Sequence, residues 1–225
     1  MENFLIIDGN SIMNRAFYGL SANMTSSYLN IHTNALYGFL NIYWMILEKI
    51  EPDYVCVSFD LSKPTFRHKM YADYKGTRKG MPDELREQMP VIKQILDAMN
   101  VPILELEGYE ADDILGTVAN QNTKKGIFTY ILTGDKDSLQ LISDTTSIII
   151  PTTKFGKTTY TIYTPDVLME TQGIAPYQVI HMKSLMGDAS DNIPGVKGIG
   201  QKTAHTLISK YQTLDNIYEN IQSLD

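Results

Sequence analysis

Nine acidic side chains fall into five short motifs along the chain. The motifs are IIDGN with Asp8, SFD with Asp60, YEADDI with Glu110, Asp112 and Asp113, TGDKD with Asp135 and Asp137, and MGDASDN with Asp188 and Asp191. Oxygen ligands of this kind suit hard divalent cations such as Mg²⁺ and Mn²⁺. Two such ions about 4 Å apart can stabilise both the attacking and the leaving oxygen during hydrolysis of a phosphodiester. The motifs therefore predict metal-assisted phosphodiester chemistry.

Each motif taken singly also has a structural explanation. Asp-Gly after a strand is common in turns, acids in a first helical turn complement the helix dipole, and GDKD can cap a helix. Gathered in one place, however, the carboxylates would raise one another's pKa unless counter-charge were present. Few basic residues adjoin the motifs in the sequence. We therefore favour binding of cations by the motifs as a set.

Apolar strands are predicted to position these motifs. The predicted strands are 4–7, 54–59, 128–133, 147–150 and 160–163. Helical patterns between them indicate an α/β fold with a mostly parallel central sheet covered on both faces. Ligands of such sheets bind at the carboxyl ends of the strands, where Asp8, Asp60 and Asp135 are expected to lie.

The predicted helices include 33–50, 82–100 with an interruption at Pro90, and 109–122, whose first turn holds Glu110, Asp112 and Asp113. After Pro165 the sequence shows helices and glycine turns without a strand signal. We expect a nuclease-like core at 1–164 and a helical region at 165–225.

The charge distribution bears on nucleic-acid binding. The net charge of −7 over 225 residues argues against it, but leaving out the nine clustered acids makes the remainder slightly basic. Between Lys63 and Arg86 lie seven Lys or Arg residues against three acids, interleaved with Phe66, Tyr71 and Tyr74. This pattern favours a nucleic-acid channel over a solvated loop.

Cysteine content and apolar runs limit the class of protein. Cys56 is the single cysteine and lies in the apolar run YVCVSF, so a disulfide framework and a cysteine-based zinc site are excluded. No apolar run reaches the length of a membrane span, and the first residues lack the pattern of a signal peptide. A cytoplasmic location without membrane contact is expected.

The string GVKGIG precedes a predicted helix that begins at Gln201. Glycines permit close approach of the backbone to phosphate, and helix N-termini favour anions. The same string also fits a plain turn between two helices.

In matching order, the strings IDGNS, TFRHKMYADYKGTR, YEADDI, GDKD and GDASDNIPGVKGIGQKTA resemble the 5′–3′ nuclease domains of bacterial DNA polymerase I, within the flap endonuclease superfamily. The resemblance runs from Phe4 to about Tyr218. It implies a PIN/resolvase-like fold and a structure-specific 5′–3′ exonuclease and 5′-flap endonuclease. Such an enzyme hydrolyses DNA with two Mg²⁺ ions, for which Mn²⁺ can substitute, in primer removal and DNA repair.

The resemblance also implies roles for individual residues. The first metal set is Asp8, Asp60, Glu110 and Asp112. The second is Asp135, Asp137, Asp188 and Asp191, with Asp113 as an additional acid. Lys75 and Arg78 match the basic residues that contact the scissile phosphate, where they would stabilise developing negative charge.

DNA contacts are implied for two further regions. One is a mobile, basic helical arch at about 69–89, which admits a single-stranded 5′ end. The other is a helix–three-turn–helix motif, which grips duplex DNA and holds a K⁺ ion through Ser190, Val196 and Ile199. The candidate DNA-binding residues are Arg15, Phe17, Arg67, Lys69, Tyr74, Lys79, Gly195, Lys197, Gly198, Gly200 and Lys202. The implied partner is DNA with 5′ ends or flaps, with RNA primer–DNA hybrids included, bound by a monomer or by part of a longer polymerase chain near the bacterial nucleoid.

Two departures from the family pattern affect these expectations. Asn14 stands where many relatives carry an aromatic residue thought to stack on a terminal base, and Phe17 or Tyr18 is the candidate substitute. The chain also ends at Asp225, earlier than the family domain usually does.

Other functions remain to be weighed. A ribonuclease resembling the PIN-domain toxins would share the acidic sheet edge but lack the GVKGIG turn and the arch. A DNA-binding module with degenerate metal sites would not need the complete set of acids. A dinucleotide enzyme is excluded, because DGNS follows the first strand in place of G-x-G-x-x-G.

Overall fold

The structure is a computed structural model that describes residues 1–20, 24–28, 30–154 and 157–223. The last two residues of the predicted helical region 165–225 therefore lie outside the described residues.

Within the described residues, six strands form one central sheet in the spatial order β5-β4-β1-β6-β7-β8. All neighbouring pairs are parallel except β7 and β8. Two further ribbons pair β2 with β3 and β9 with β10. The strands are β1 (Asn3–Asp8), β2 (Thr25–Ser26), β3 (Ile31–His32), β4 (Tyr54–Ser58), β5 (Ile103–Leu104), β6 (Phe128–Leu132), β7 (Thr146–Lys154), β8 (Lys157–Tyr163), β9 (Gly187–Asp188) and β10 (Ile193–Pro194).

Helices cover the sheet and continue beyond it. They are α1 (Gly9–Gly19), α2 (Asn34–Ile50), α3 (Phe66–Met70), α4 (Asp83–Arg86), α5 (Gln88–Ala98), α6 (Ala111–Lys125), α7 (Pro165–Gln172), α8 (Gln178–Met186), α9 (Gln201–Tyr211) and α10 (Leu214–Glu219). Short 3₁₀ helices span Lys136–Leu141 and Ile221–Ser223.

The core is divided by the sheet into two apolar clusters. In β1, Leu5 and Ile7 face the cluster that contains residues of α1, α2 and α5, whereas Ile6 faces the cluster that contains residues of α6, α8 and α9. Alternate residues of a strand point to opposite faces, so an uninterrupted apolar strand fills both clusters. The predicted α/β fold with a mostly parallel sheet is confirmed. Cys56 is buried in the second cluster, as expected for core packing.

Three predictions about local structure need correction. The helix predicted at 82–100 is broken at Glu87 and not at Pro90, because Pro90 lies in the first turn of α5, where its missing N–H costs no helical hydrogen bond. The region after Pro165 does contain strands, since β9 and β10 form a two-residue ribbon. The basic segment 69–89 is helical only near its two ends among the described residues, and turns and coil connect them.

No helix among the described residues combines the length and apolar character that crossing a membrane requires.

Candidate active site

Three acids lie where parallel strands end. Asp8 is the last residue of β1, and Asp60 and Asp135 follow β4 and β6 closely. Asp8 is 5% exposed, and its carboxylate accepts hydrogen bonds from the Ser11 backbone N–H and the Thr133 hydroxyl, each at 2.9 Å. The bond to Ser11 caps α1, so the same side chain begins a helix and faces the sheet edge.

The start of α6 supplies the next acids. Glu110 is the N-cap of this helix, and Asp113 accepts a hydrogen bond from the Glu110 backbone N–H at 2.9 Å, which completes a capping box. The Asp60 carboxylate accepts a bond from the Ala111 N–H at 2.7 Å. The end of β4 is thereby tied to the beginning of α6, and the YEADDI motif is held against the strand ends.

Four of the nine acids have no ion pair with any described residue. We call Asp8, Asp60, Asp112 and Asp135 the unpaired acids. Burial, followed by the charges of Asp60 and Asp135, raises the pKa of Asp8 to about 6, although bonds from Ser11 and Thr133 oppose the rise. Asp112 is exposed on the cleft. Desolvation of its carboxyl group by the surrounding protein, followed by the charges of the three other unpaired acids, raises its pKa to about 8. Burial is the main cause of both shifts and the neighbouring carboxylates add to it, so the ionised carboxylates are destabilised here.

The other five acids each contact a basic side chain. These paired acids are Glu110, Asp113, Asp137, Asp188 and Asp191. Lys75 Nζ lies 2.8 Å from Glu110 Oε1, and Arg78 Nη2 lies 2.5 Å from Asp191 Oδ1. The expectation that few basic residues relieve the acids is wrong for this group, because the fold brings distant bases to them.

Arg67 and Asp113 form a two-bond pair, with Arg67 nitrogens 2.7 and 2.8 Å from the two carboxylate oxygens. Burial alone would raise the pKa of Asp113, but the guanidinium of Arg67 holds it below its usual range. Asp113, which also caps α6, therefore has little free capacity for a metal ion. Arg67 is likewise occupied, although its sequence context suggested a DNA contact.

Lys183 of α8 bridges two acids and was missed in the sequence. Its ammonium lies 2.7 Å from Asp137 Oδ1 and 2.8 Å from Asp188 Oδ2. Burial would raise the pKa of Asp188, but bonds from Lys183 and Ser190 hold it well below its usual range. Burial keeps the pKa of Asp137 raised despite the contact with Lys183. A lysine in the last turn of the helix that precedes MGDASDN was the available signal.

The basic segment lies directly on the loop between β9 and β10. The Lys75 backbone N–H donates to the Asp191 carbonyl at 2.9 Å, and Asn192 Nδ2 donates to the Asp73 carbonyl at 2.8 Å. Arg78 Nε donates to the Ser190 carbonyl at 3.1 Å. Two adjoining clefts of about 490 and 440 Å³ result, and both are lined by Lys75, Arg78, Glu110, Asp112 and Asp135.

The Tyr74 ring is buried beneath this segment, at 5% exposure. Its hydroxyl oxygen lies 3.0 Å from a carboxylate oxygen of Glu110 and 3.0 Å from one of Asp191, so the two carboxylates share its single proton. Burial together with these carboxylates raises the pKa of Tyr74 well above its usual range. In this structure the buried ring offers no face for base stacking, and the DNA contact expected at Tyr74 stays a prediction. Its hydroxyl holds the segment on the acids.

Of the candidate DNA-binding lysines, Lys79 lines one of the two clefts. Lys69, Lys79, Lys197 and Lys202 are exposed, and none of them has an ion pair with a described residue. Arg15 lines a cavity of about 390 Å³ with Asn14 and Tyr18, and its buried Nε has no hydrogen-bond partner among the described residues. Phe17 is half-buried against the core, whereas Tyr18 is 70% exposed, which makes Tyr18 the ring available for stacking.

The glycine turn is shaped by close backbone packing. A Cβ at Gly195 would lie 2.3 Å from the Met186 carbonyl carbon, so this glycine serves the approach of two chain segments. Gly198 has a φ of +86°, and neither Gly198 nor Gly200 has a described atom near its Cβ position. The Val196 N–H donates to the Leu185 carbonyl at 2.8 Å and the Ile199 N–H to the Val196 carbonyl at 3.0 Å. The Ser190 hydroxyl donates to Asp188 at 2.6 Å.

The donor set fits hard divalent cations, although it is not arranged in advance. No group of three or more His, Cys, Asp or Glu side chains in the described ranges is already placed to hold a metal ion. Repulsion among the unpaired acids and competition from Lys75, Arg78 and Lys183 account for the open arrangement. Carboxylate oxygens without an ion pair to a described residue, on an open cleft, are nevertheless the ligands that Mg²⁺ and Mn²⁺ prefer.

Two family models match consecutive parts of the chain. Residues 3–173 match the 5′–3′ exonuclease N-terminal resolvase-like domain, and residues 174–225 match the 5′–3′ exonuclease C-terminal SAM fold. The division that we predicted at 164/165 stays a prediction.

Curated relatives are similar over the whole chain. DNA polymerase I of Caldicellulosiruptor bescii is 47% identical over 220 residues, which cover 98% of this chain and 26% of the relative. DNA polymerase I of Bacillus subtilis is 44% identical over 223 residues, which cover 99% of this chain and 25% of the relative. The chain thus spans about a quarter of the length of these relatives.

Solved structures share the fold at low identity. The 5′-exonuclease of bacteriophage T5, with divalent metal ions (zinc) bound, aligns with a TM-score of 0.76 and 22% identity over 98% of this chain and 79% of that one. The flap endonuclease of the same phage, in a complex with DNA and metal ions, gives a TM-score of 0.74 and 22% identity over 98% and 79%. The eukaryotic junction-resolving enzyme GEN-1, with potassium bound, aligns with a TM-score of 0.57 and 14% identity. This alignment covers 99% of this chain and 47% of GEN-1.

Proposed function

The chain belongs to the 5′–3′ exonuclease family, and from that premise we propose that it hydrolyses DNA at 5′ ends and at 5′ flaps with two bound Mg²⁺ ions. The observation that carries this proposal is that eight of the nine acids, all but Asp188, line two adjoining clefts beneath the basic segment. Acids alone would repel DNA. Acids with bound cations, beneath Lys75 and Arg78, can hold a phosphodiester between opposite charges.

The ions are assigned to the two classes of acid. The unpaired acids Asp8, Asp60, Asp112 and Asp135, with Glu110 at their border, hold the first ion. Asp137, Asp188 and Asp191 hold the second. Asp135, which the resemblance assigns to the second set, is moved to the first because its charge acts on Asp8 and Asp112. When bound, such ions polarise the phosphodiester and lower the pKa of water, and Mn²⁺ has the same ligand preference. The T5 5′-exonuclease, which has this fold, binds divalent metal ions.

Lys75 and Arg78 are proposed to stabilise charge on the phosphoryl oxygens. Both reach into the clefts and contact carboxylates of the site. Once cations neutralise those carboxylates, the ammonium and the guanidinium can turn to an anionic substrate without losing charge compensation. Tyr74 keeps the segment that bears them in register with Glu110 and Asp191.

DNA is proposed to lie across the surrounding basic surface. Lys69, Lys79, Lys197 and Lys202 offer unpaired charges to phosphates, which carry no base information, so DNA structure and not sequence would be recognised. Tyr18 is the ring proposed to stack on a terminal base. GEN-1 binds potassium, and the carbonyls of Val196 and Ile199 with the Ser190 hydroxyl remain our proposal for a K⁺ site here.

The cellular setting is also a proposal. We place the chain on DNA near the bacterial nucleoid, in primer removal and repair, with RNA primer–DNA hybrids among its substrates. We propose that it acts as a monomer within a longer polymerase chain, which fits the polymerase relatives that it matches in part.

A cleavage assay tests the proposal. The protein would be incubated with a 5′-flap DNA carrying a label at its 5′ end, in Mg²⁺ and in a parallel sample with a chelator. We expect Mg²⁺-dependent release of the labelled flap close to the junction. Retention of the flap in Mg²⁺ by protein that binds the substrate would contradict the proposal and support a DNA-binding module.

A single-stranded RNA of matched length serves as the control substrate. Cleavage of the RNA in preference to the flap would support the PIN-like ribonuclease instead.

A further inference from the structure

Lys183 occupies the space between two acids of the second metal set. Its ammonium contacts Asp137, which lies in the first turn of the 3₁₀ helix Lys136–Leu141, and Asp188, which belongs to β9. The lysine is fixed by its position in α8, whose neighbouring residues Met182 and Leu185 are buried in the core. Its side chain is 32% exposed, so solvent and ions can reach it.

The remaining contacts of Asp188 leave little room for a direct metal bond. Its Oδ1 accepts from the Ser190 N–H at 2.8 Å, from the Ser190 hydroxyl at 2.6 Å and from the Asp191 N–H at 3.3 Å. Its Oδ2 is taken by Lys183 at 2.8 Å. A divalent cation that enters between Asp137 and Asp188 must therefore displace the ammonium group.

The unpaired acids present no such obstacle. Asp8, Asp60 and Asp135 accept bonds from neutral backbone or hydroxyl donors in the described structure, and these donors do not compete as cations. A first ion at that group adds missing charge compensation. A second ion at Asp137 and Asp188 replaces the Lys183 ammonium, which already compensates these carboxylates, so its binding is less favourable.

We infer that Lys183 is an internal counter-ion that competes with the second divalent cation and thereby sets the affinity of that site. This inference rests on the two-ion function proposed above. Lys183 is a positioning residue, since it acts through Asp137 and Asp188 and not on the substrate. It keeps both carboxylates in place without metal and keeps the second ion exchangeable.

Metal binding to the full chain, without substrate, tests the inference. Metal-free protein would be titrated with Mn²⁺, and free Mn²⁺ would be counted by electron paramagnetic resonance. We expect two ions of unequal affinity in the native protein. Lys183→Met should tighten the weaker dissociation constant about tenfold, since two charge-assisted contacts no longer compete.

Matched variants separate this effect from loss of charge or structure. Lys136→Met removes a lysine between Asp135 and Asp137 that is exposed and has no ion pair with a described residue, and its weaker constant should stay within about twofold of the native value. Lys183→Arg should keep the weaker constant near the native value. Lys183→Gln, which retains a polar side chain, replaces the methionine variant if that variant does not fold.

The outcomes are distinguishable. If the native protein binds two ions but the weaker constant is unchanged or weakened in Lys183→Met and Lys183→Gln, the inference about Lys183 is overturned. Binding of one ion by the native protein would instead overturn the two-ion function on which the inference rests.

Discussion

The unpaired and the paired acids are alike in residue type but differ in what the fold places beside them. The unpaired acids come mainly from strand ends, where parallel topology gathers them before any base is near. The paired acids come from helix starts, from the short strand β9 and from the loop after it, and Arg67, Lys75, Arg78 and Lys183 reach them from elsewhere in the chain. One half of the site thus holds uncompensated charge, while the other half is already neutralised. We therefore expect the strand ends to be where a bound divalent cation compensates most charge.

Removing an unpaired acid should have the largest effect. Asp135→Asn keeps the shape of the side chain but removes a charge that we assign to a metal ligand, and we expect cleavage of a 5′ flap to fall about a thousandfold or more with DNA affinity nearly unchanged. Single-turnover cleavage and equilibrium DNA binding would measure the two effects.

The matched control is Asp144→Asn, an exposed acid without an ion pair to a described residue, which should leave both quantities unchanged. Loss of DNA binding with unaltered chemistry per bound complex in Asp135→Asn would contradict the assignment.

The stability of the metal-free protein should fall as pH rises. The folded-state pKa is about 6 for Asp8 and about 8 for Asp112, and both values lie above the ordinary 3.8. The contribution of these two acids to the free energy of unfolding is therefore full below about pH 4 and is lost as the pH rises through 6 to 8. For the buried Asp8 the rise corresponds to roughly 3 kcal/mol. Denaturant unfolding in a chelator between pH 4 and 8 measures this change.

Asp8→Asn should flatten the profile, and added Mg²⁺ should restore stability at high pH. The paired acids Asp113 and Asp188 have lowered pKa values, so the stability that they contribute to the fold is lost only at a pH below the measured range. A native profile with the same slope as that of Asp8→Asn would refute the view that this acid is uncompensated.

Lys75→Ala should slow the chemical step about a hundredfold, because the ammonium above Glu110 is assigned to the phosphoryl oxygens. DNA affinity should change little. Pre-steady-state rates at saturating protein report the chemical step alone.

Lys79→Ala removes a nearby exposed lysine that has no ion pair with a described residue. We expect it to weaken DNA binding and its salt dependence slightly while leaving the chemical rate unchanged. Equal effects of Lys75→Ala and Lys79→Ala on the chemical rate would indicate that Lys75 contributes only to the overall positive charge of the segment and makes no specific contact with the phosphoryl oxygens.

The smallest effect is expected at Asp113. Its carboxylate is held by Arg67 and by the capping box of α6, so Asp113→Asn should reduce cleavage only a few-fold and lower stability by about 1 kcal/mol. Metal titration and thermal unfolding would measure both. Loss of one bound metal ion in Asp113→Asn would show that Asp113 is a metal ligand and would contradict this prediction.

The sheet and its acidic edge could be predicted because long apolar strands have an unmistakable pattern and parallel strands end at one edge. The resemblance to the 5′–3′ nuclease domains of DNA polymerase I is confirmed by the matching family models and relatives. The ribbon of β9 and β10 escaped prediction because two-residue strands have no periodicity. The contacts of Lys183 and of the buried Tyr74 escaped prediction because their partners are set by tertiary packing, which residue spacing does not encode.

A crystal structure at low and at high Mn²⁺ concentration, with anomalous scattering to locate the ions, tests the central difference between the two groups most directly. We predict that the first ion appears among Asp8, Asp60, Asp112 and Asp135 while Lys183 still bridges Asp137 and Asp188. At high concentration a second ion should appear between Asp137 and Asp188, with the Lys183 ammonium displaced. A first ion between Asp137 and Asp188 at low concentration, with the strand-end acids empty, would contradict the account.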